Sequence, residues 1–254
     1  MIEPQLLSTE KNVTRNGSTV LRPMEPWSEN IHRFLAHLGG KGLPVPRVLG
    51  VSEDGQEMLE FLEGEQVHPY RWTDEGLYEV GRLVRRLHDG AADFRLPASG
   101  LWKPWCLREL GSGERLCCHG DIAPWNMLTK DGLPTALIDW EMAGPLDPVV
   151  ELARVCWLFP QLVDDDLAAL YGLPDAKGRA GQVRQICDAY GLGPERRKGF
   201  LERVIEVVIC ETAHEAIDPA LTPESAGSLW GFAWRTRSLY WIWRNRVILQ
   251  KALD

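Results

Sequence analysis

Two segments, His-Gly-Asp-Ile-Ala-Pro-Trp-Asn at 119–126 and Ile-Asp-Trp-Glu at 138–141, carry the clearest signal in this chain. We expect Asp121 and Asp139 at the ends of short strands that a hairpin brings side by side, with Asn126 between them. Two carboxylates and an amide oxygen form the hard oxygen site that Mg²⁺ prefers. Isolated aspartates in such positions are usually turn residues, but the joint spacing favours a site for Mg²⁺ and phosphate, with Asp121 accepting a hydroxyl proton.

Composition narrows the class of protein. The 254 residues are 44% hydrophobic and 25% charged, as expected for a folded chain of one or two domains. A net charge of −8 argues against a nucleic-acid partner and suits a cationic one. No run approaches about 18 apolar residues and the N-terminus is acidic, so we expect neither a membrane span nor a signal peptide. The six cysteines form no CxxC pair, which favours reduced thiols and a cytoplasmic location.

The order of elements predicts a small β-rich lobe followed by helices. Asn16-Gly17 is a hairpin turn signal, and a helix should begin with Ser28 as its N-cap. The predicted strands of this part are 12–15, 18–22, 45–51 and 58–62. The predicted later elements are a helix from Asp74, strands 115–118, 126–129 and 135–138, and helices 148–158, 164–171, 177–190, 194–215 and 224–250. We therefore divide the chain into an N-terminal nucleotide-binding lobe, 1–62, and a C-terminal catalytic and acceptor-binding lobe, 63–254.

Two further segments complete a resemblance to a known family. Residues 81–88 are similar to a G-x-x-L-x-x-L-H helix, and residues 147–153 to a D-P-x-x-D-L-A motif in which Glu151 replaces the second aspartate. With the two segments quoted above, they resemble the aminoglycoside phosphotransferase family over residues 12–155. This family consists of protein-kinase relatives that act on small molecules. The resemblance implies an α+β, bilobal protein-kinase-like fold with a shortened β-rich N-terminal lobe and a mainly helical C-terminal lobe.

The resemblance also implies roles for the polar residues of these motifs. Asp121 corresponds to the catalytic base, and Asn126 and Asp139 to the Mg²⁺ ligands beneath the phosphates of ATP or GTP. His119 corresponds to a structural histidine that braces the catalytic loop. Asp147 is expected to anchor its loop through backbone N–H groups.

In the N-terminal lobe the resemblance places a basic residue and a hinge. Arg22 corresponds to the residue that holds the α- and β-phosphates, and its planar, permanently charged fork suits phosphate. Glu29 is the candidate partner of Arg22, although a dipole role at the helix start is equally compatible. Backbone groups of Glu60 and Leu62 are expected to bind the nucleotide base.

The loop expected to cover the phosphates departs from the family. Relatives carry a glycine-rich hairpin, whereas residues 7–12, Leu-Ser-Thr-Glu-Lys-Asn, contain no glycine. Close backbone approach to phosphate is harder without glycine, although the side chains of Ser8, Thr9 or Lys11 remain able to contact it. The segments 20–23 and 44–50 also resemble a branch of the family linked to trifolitoxin immunity.

Two functions therefore stand side by side. The first is an ATP- or GTP-dependent O-phosphotransferase acting on a small hydroxylated molecule, for which an aminoglycoside-like antibiotic is one candidate. Its acceptor is expected near Glu211, His214 and Glu215, which share a helix face, with Trp125 either lining the pocket or packing in the loop. The second is an immunity protein of the same fold that binds a peptide bacteriocin such as trifolitoxin without catalysis. The missing glycines favour the second function, and the intact acidic motif favours the first.

Overall fold

An antiparallel five-stranded sheet forms the N-terminal part of the chain. The structure, a computed structural model, describes residues 5–9, 11–97, 100–111, 113–217 and 229–254. The strands of this sheet are β1 (Gln5–Ser8), β2 (Val13–Asn16), β3 (Thr19–Pro23), β4 (Val48–Val51) and β5 (Gln56–Glu60), in the order β1-β2-β3-β5-β4. The predicted hairpin is confirmed, since Asn16 pairs with Thr19 around a turn in which Gly17 has a φ of 59°.

Helix α1 (Ser28–Gly40) connects β3 to β4 and packs its apolar face inward. The prediction that Ser28 caps this helix is wrong, because the residue lies inside the first turn and its Oγ accepts a hydrogen bond from the Glu25 N–H at 3.0 Å. Phe34 of α1 is buried, and its ring lies 5.8 Å from that of Trp140 in an edge-on arrangement. This contact ties the first lobe to the segment 138–141.

Helix α2 (Asp74–Ala91) begins the mainly helical part. As predicted from the sequence, its apolar residues at helical spacing are buried, and the Thr73 Oγ1 caps its start by accepting from the Gly76 N–H at 3.0 Å. The remaining helices are α3 (Pro148–Leu158), α4 (Asp165–Leu170), α5 (Ala176–Tyr190), α6 (Pro194–Arg197), α7 (Phe200–Ile217), α8 (Trp230–Arg244) and α9 (Arg246–Leu253). None of the helices in the described part of the chain is both long and apolar enough to cross a membrane.

Two of the long helices predicted near the end of the chain are interrupted. The predicted helix 194–215 is divided into α6 and α7, because Gly199 adopts a φ of 73° between them. The predicted helix 224–250 is divided into α8 and α9 at Asn245, and its residues 224–228 lie outside the described residues.

Two short antiparallel ribbons hold the acidic motifs between the sheet and the helices. Strands β6 (Leu116–Cys118) and β9 (Gly144–Leu146) form one, and β7 (Met127–Lys130) and β8 (Leu133–Leu137) form the other. The expectation that a hairpin places the strand before Asp121 beside the strand before Asp139 is wrong. The first of these strands, β6, pairs with β9, while β8 pairs with β7. A different contact, described below, joins the two loops.

Candidate active site

The loop after β6 holds Asp121 between two side chains. Asn126 donates from its Nδ2 to the Asp121 Oδ2 at 2.8 Å and to the Asp121 carbonyl at 3.0 Å. The guanidinium of Arg154, on α3, lies 2.6 Å from the other carboxylate oxygen, Oδ1. The Asp121 side chain remains 22% exposed, so its carboxylate is oriented from the protein side and still open to a ligand.

His119 joins the two acidic loops. Its Nε2 lies 3.0 Å from the Ile138 carbonyl, and its Nδ1 accepts from the Asp121 N–H at 3.1 Å. Burial lowers the pKa of His119, which favours the neutral ring that this pair of hydrogen bonds requires. The contact positions Asp121 relative to Asp139, and it supports the structural role expected for this histidine.

A buried brace fixes the backbone between these residues. Gly120 has a φ of 82°, and a Cβ there would lie 2.2 Å from the Met142 carbonyl oxygen, so the loop requires glycine. Its N–H donates to Glu151 Oε1 at 2.5 Å, and Glu151 Oε2 lies 2.8 Å from His88 Nε2. Burial alone would raise the pKa of Glu151, but the hydrogen bond from His88 and the nearby charges lower it. Glu151, which replaces the aspartate of the family motif, therefore still fastens the loop.

The sulfur of Cys118 lies close to this brace, and one ligand atom from each of Cys118, His88 and Glu151 falls within 4.8 Å of the others. Both ring nitrogens of His88 are already hydrogen-bonded, to Glu151 and to the Tyr190 hydroxyl at 2.9 Å. We therefore assign these residues to packing and bracing of the core. His88 is the satisfied core residue that its position at the end of an apolar helix face indicates.

Asp147 anchors its own loop as predicted. Its Oδ1 accepts from the Val149 N–H at 2.8 Å, and its Oδ2 accepts from the Gly113 N–H at 3.1 Å. The carboxylate thereby caps the start of α3, which carries Arg154 to the loop that contains Asp121.

Asp139 adopts a left-handed backbone conformation, with φ 59° and ψ 65°, at the end of β8. Its Oδ2 lies 3.0 Å from the ammonium group of Lys11, and its Oδ1 lies 3.6 Å from the guanidinium of Arg22. Oδ1 is buried without a hydrogen-bond partner among the described residues. A hard divalent cation binds to oxygen ligands. The buried Asp139 oxygen without a hydrogen-bond partner, with further carboxylate and amide oxygens nearby, therefore fits such a cation.

Glu141 is a site residue that the motif contains but to which sequence reasoning gave no role. Its carboxylate is 10% exposed and contacts Lys11 at 2.8 Å, Arg22 at 3.6 Å and also Lys103. Burial acts to raise the pKa of Glu141, but hydrogen bonds from Lys103 and Lys11 lower it to about 2. Basic side chains from three separate parts of the chain therefore contact the acidic pair Asp139 and Glu141.

Arg22 lies on β3, and its guanidinium points to this acidic pair. Its predicted partner is wrong: Glu29 is exposed at the start of α1. Arg22 Nε instead contacts Glu57 Oε1 on the neighbouring strand β5 at 2.8 Å. Glu57 also lies 2.5 Å from His32 of α1. The pairing of β3 with β5 places Arg22 directly opposite Glu57, a relation that sequence spacing does not reveal.

The glycine-free segment 7–12 begins inside β1, which ends at Ser8. Its residues Thr9, Lys11 and Asn12 lie between β1 and β2, and Glu10 lies outside the described residues. Lys11 reaches from this connection to the acidic pair. Burial acts to lower its pKa, but Asp139 and Glu141 raise it, so its ammonium group stays charged. A lysine side chain from the segment in which the resemblance predicted glycines thus contacts both carboxylates.

The expected hinge begins at Glu60, the last residue of β5. The Glu60 N–H donates to the Arg47 carbonyl at 2.8 Å, and the Glu60 carboxylate pairs with the Arg47 guanidinium at 2.9 Å. Leu62 is half-buried just beyond the strand. Arg15 stacks on the ring of Phe61 between them, at 3.6 Å from the ring centroid.

A cavity of about 250 Å³ opens beside Asp121. Helix α7 contributes Glu211, His214 and Glu215, which confirms that this helix face lines a cleft. Arg154 also lines the cavity and lies 2.5 Å from Glu211 through its Nε. Sequence reasoning missed Arg154, although it directly follows the motif 147–153. Burial acts to lower its pKa, but Glu211 and Asp121 raise it, so the guanidinium remains charged.

The chain matches the model of the phosphotransferase enzyme family, APH, over residues 12–116 and 101–200. It therefore belongs to this family. It is also 44% identical over 246 residues to the trifolitoxin immunity protein of Rhizobium leguminosarum bv. trifolii, which covers 95% of this chain and 94% of that protein. The relation to that protein agrees with the second resemblance noted in the sequence.

Solved structures confirm the bilobal protein-kinase-like fold. An amicoumacin kinase in complex with AMP-PNP and Ca²⁺ has a TM-score of 0.65 at 10% identity, covering 98% of this chain and 90% of that one. A choline/ethanolamine kinase family protein from Mesorhizobium loti has a TM-score of 0.60 at 18% identity, with coverage of 99% and 92%. An aminoglycoside phosphotransferase solved with GDP has a TM-score of 0.55 at 12% identity, with coverage of 99% and 92%.

Proposed function

We propose that this chain transfers the γ-phosphoryl group of ATP or GTP to a hydroxyl group of a small molecule. The observation that carries the proposal is the position of Asp121. Its carboxylate lines the cavity of about 250 Å³, which we call the acceptor cavity, and accepts a hydrogen bond from the Asn126 side chain. Asn126 adjoins Asp139, because the Asn126 carbonyl accepts a hydrogen bond from the Ile138 N–H at 3.0 Å. A base facing an acceptor and an oxygen-rich metal site beside it are the two parts that phosphoryl transfer requires.

The acidic pair and the basic side chains that contact it bind the phosphoryl donor, the nucleoside triphosphate. Asn126 and Asp139 would hold Mg²⁺, which when bound neutralises charge on the phosphate oxygens. Arg22 and Lys11 contact the phosphates, and the side chain of Lys11 replaces part of what a glycine-rich loop supplies. The described contacts of both residues with Asp139 support this assignment.

Asp121 acts on the phosphoryl acceptor. Its carboxylate orients the acceptor hydroxyl and takes its proton as the oxygen attacks the γ-phosphorus atom and the bond to the nucleoside diphosphate breaks. Arg154 and Asn126 hold the carboxylate in place. Glu60 and Leu62, at the lobe boundary that we set at residue 62, bind the nucleotide base through backbone groups. A reaction that consumes ATP or GTP also fits the cytoplasmic location that we propose.

The test is transfer of labelled γ-phosphate to a panel of antibiotics and small alcohols, including aminoglycosides. Asp121→Ala and Asp139→Ala should each lower turnover by about 100-fold or more, because general-base and metal contributions of this size are typical. Asp89→Ala removes an exposed carboxylate of α2 that pairs with Arg85 and serves as the control. Equal turnover in the wild type and both site variants would overturn the assignment.

The named relative supports a second candidate function. The trifolitoxin immunity protein is 44% identical along nearly the whole chain, and an immunity protein on this fold could act by binding a peptide bacteriocin such as trifolitoxin without catalysis. Binding of Mg²⁺-nucleotide separates the two functions, because sequestration of a peptide does not require it.

A further inference from the structure

A second cavity, of about 290 Å³, adjoins the acceptor cavity. Both cavities are lined by Trp125, from the catalytic loop, and by Arg235, from α8. We call the second one the aromatic cavity. Because the two cavities share these lining residues, they lie next to each other on either side of Trp125 and Arg235.

The aromatic cavity is built for an apolar group. The rings of Trp157 and Trp234 stack at 5.3 Å, and the His68 ring meets Trp125 edge-on at 5.3 Å. Desolvation lowers the pKa of His68, so its ring is neutral near pH 7. Among the described residues that line this cavity, Arg235 is the single charged one, and it stands at the shared wall. Sites of this size lined by aromatic side chains bind apolar ligand groups.

The acceptor cavity, in contrast, has its charges already paired. Asp121 and Glu211 both contact Arg154, at 2.6 Å and 2.5 Å. Glu215 contacts Arg235 at 3.1 Å. Each carboxylate that the described residues contribute to this cavity therefore has an arginine partner. A ligand with several positive charges would compete with the buried Arg154 and the half-buried Arg235 for these carboxylates, and leaving the buried Arg154 without its partners carries a large cost.

Arg235 stands at the junction of the two cavities. Its Nε is buried without a hydrogen-bond partner among the described residues, since the nearest Glu211 oxygen is 4.0 Å away. Its Nη1 is already committed to the Gly231 carbonyl at 2.8 Å. The contacts of Arg235 with α7 and with its own helix hold it in the wall that the two cavities share.

We propose that the two cavities together bind one amphipathic acceptor with little or no positive charge. Its hydroxyl lies at Asp121, its middle passes Trp125 and Arg235 at the junction, and an aromatic or aliphatic group fills the aromatic cavity. The inference rests on the proposed phosphotransfer for the role of the hydroxyl. It narrows the acceptor class away from the polycationic aminoglycosides.

A binding measurement tests the aromatic cavity independently of catalysis. The probe is N-phenyl-1-naphthylamine, an uncharged aromatic dye whose fluorescence rises in apolar surroundings. Leu167→Trp adds a ring to the half-buried lining position on α4, whereas Leu170→Trp adds the same ring at a position that is 70% exposed on the same helix. We expect the dye affinity to fall at least tenfold in Leu167→Trp and to change less than twofold in Leu170→Trp. Equal affinities in the two variants would overturn the proposal.

A second measurement links the aromatic cavity to the reaction. Phosphotransfer is followed for the ω-phenyl alcohols from benzyl alcohol to 6-phenyl-1-hexanol, with gentamicin as the polycationic comparison. We expect kcat/KM to rise at least tenfold along the series in the wild type and in Leu170→Trp, and to stay flat in Leu167→Trp. A preference of the wild type for gentamicin over the whole series would contradict the inference. Dye binding as expected without transfer to any alcohol would instead count against the proposed phosphotransfer and leave the aromatic cavity standing as a binding site.

Discussion

Arg154 connects the loop that contains Asp121 to the helices behind it. Its side chain is 3% exposed and contacts Asp121, Glu211 and the Ile122 carbonyl. The gain from such a buried ion pair is largely offset by desolvation, whereas loss of one partner leaves an uncompensated charge. The contacts therefore orient the Asp121 carboxylate more than they add net stability.

Replacement of Arg154 gives the first prediction. Arg154→Met should lower the free energy of unfolding by about 3–5 kcal/mol, because Glu211 is left buried without its main cation. The double variant Arg154→Met/Glu211→Leu should recover at least a third of that loss, since it buries no unpaired carboxylate. Urea unfolding of the three proteins measures both values. Additive losses in the double variant would show that the two side chains are not coupled.

Glu141 gives a prediction about pH. Its pKa of about 2 in the folded protein lies below the ordinary value of 4.5. The stabilisation from its contacts with Lys11 and Lys103 is therefore complete above pH 4.5 and lost as the pH falls toward 2. Urea unfolding between pH 6 and pH 3 should show a loss about 1–2 kcal/mol larger in the wild type than in Glu141→Gln, a modest value because both lysines are partly exposed. Identical pH profiles would refute this role of Glu141.

The elements show which parts of the fold can be read from sequence. Helices α2, α3 and α5 begin where Thr73, Asp147 and Asp175 accept hydrogen bonds from the first-turn N–H groups, and local capping residues of this kind are visible in sequence. Strand β9 was missed. Its three residues, Gly-Pro-Leu, carry no strand pattern, and the strand forms through pairing with the distant β6.

Helix packing supplies a matched pair of glycine substitutions. A Cβ at Gly81 on α2 would lie 2.6 Å from the Ile186 carbonyl oxygen of α5, whereas a Cβ at the exposed Gly181 on α5 would meet no heavy atom within 4 Å among the described residues. We expect Gly181→Ala to raise the free energy of unfolding by about 0.5–1 kcal/mol, through higher helix propensity. Gly81→Ala should lower it by about 1–3 kcal/mol, because α2 and α5 must separate. Thermal unfolding of both variants gives the signs, and stabilisation by Gly81→Ala would show that the two helices are less closely packed than described.

At the scale of the whole molecule, ion pairs between basic side chains of the first lobe and carboxylates of the second join the two lobes. Lys11 and Arg22 come from the sheet, while Asp139 and Glu141 follow β8. The motif spacing predicted Asp121, Asn126 and Asp139 as one cluster. It did not predict Arg154, Glu57 or Lys103, because pairing between distant elements brings these residues to the cluster and no local pattern marks them.

The contact of Lys11 with Asp139 gives a prediction with two opposite signs. Lys11→Met should strengthen binding of Mn²⁺ alone by about tenfold or less. The substitution removes the Lys11 ammonium group, which competes with the metal for the partly exposed Asp139 carboxylate through an ion pair that contributes about 1 kcal/mol. The same substitution should weaken binding of Mg²⁺-nucleotide, because a phosphate contact is lost. Electron paramagnetic resonance of Mn²⁺ and calorimetry measure the two affinities, with exposed Lys177→Met as the control. Changes of the same sign in both would contradict the assignment.

Nucleotide binding tests the central claim of a phosphotransferase site most directly. The thermal midpoint of the wild type is measured with Mg²⁺-ATP and with Mg²⁺-GTP, with EDTA as the control and Asp139→Asn as the matched variant. At about 100 times Kd a ligand adds about 2.7 kcal/mol, which corresponds to a rise of about 5–10 °C for a chain of this size. We predict such a rise with at least one nucleotide, abolished by EDTA and by Asp139→Asn. An unchanged midpoint with both nucleotides would contradict the phosphotransferase account and favour a non-catalytic immunity protein.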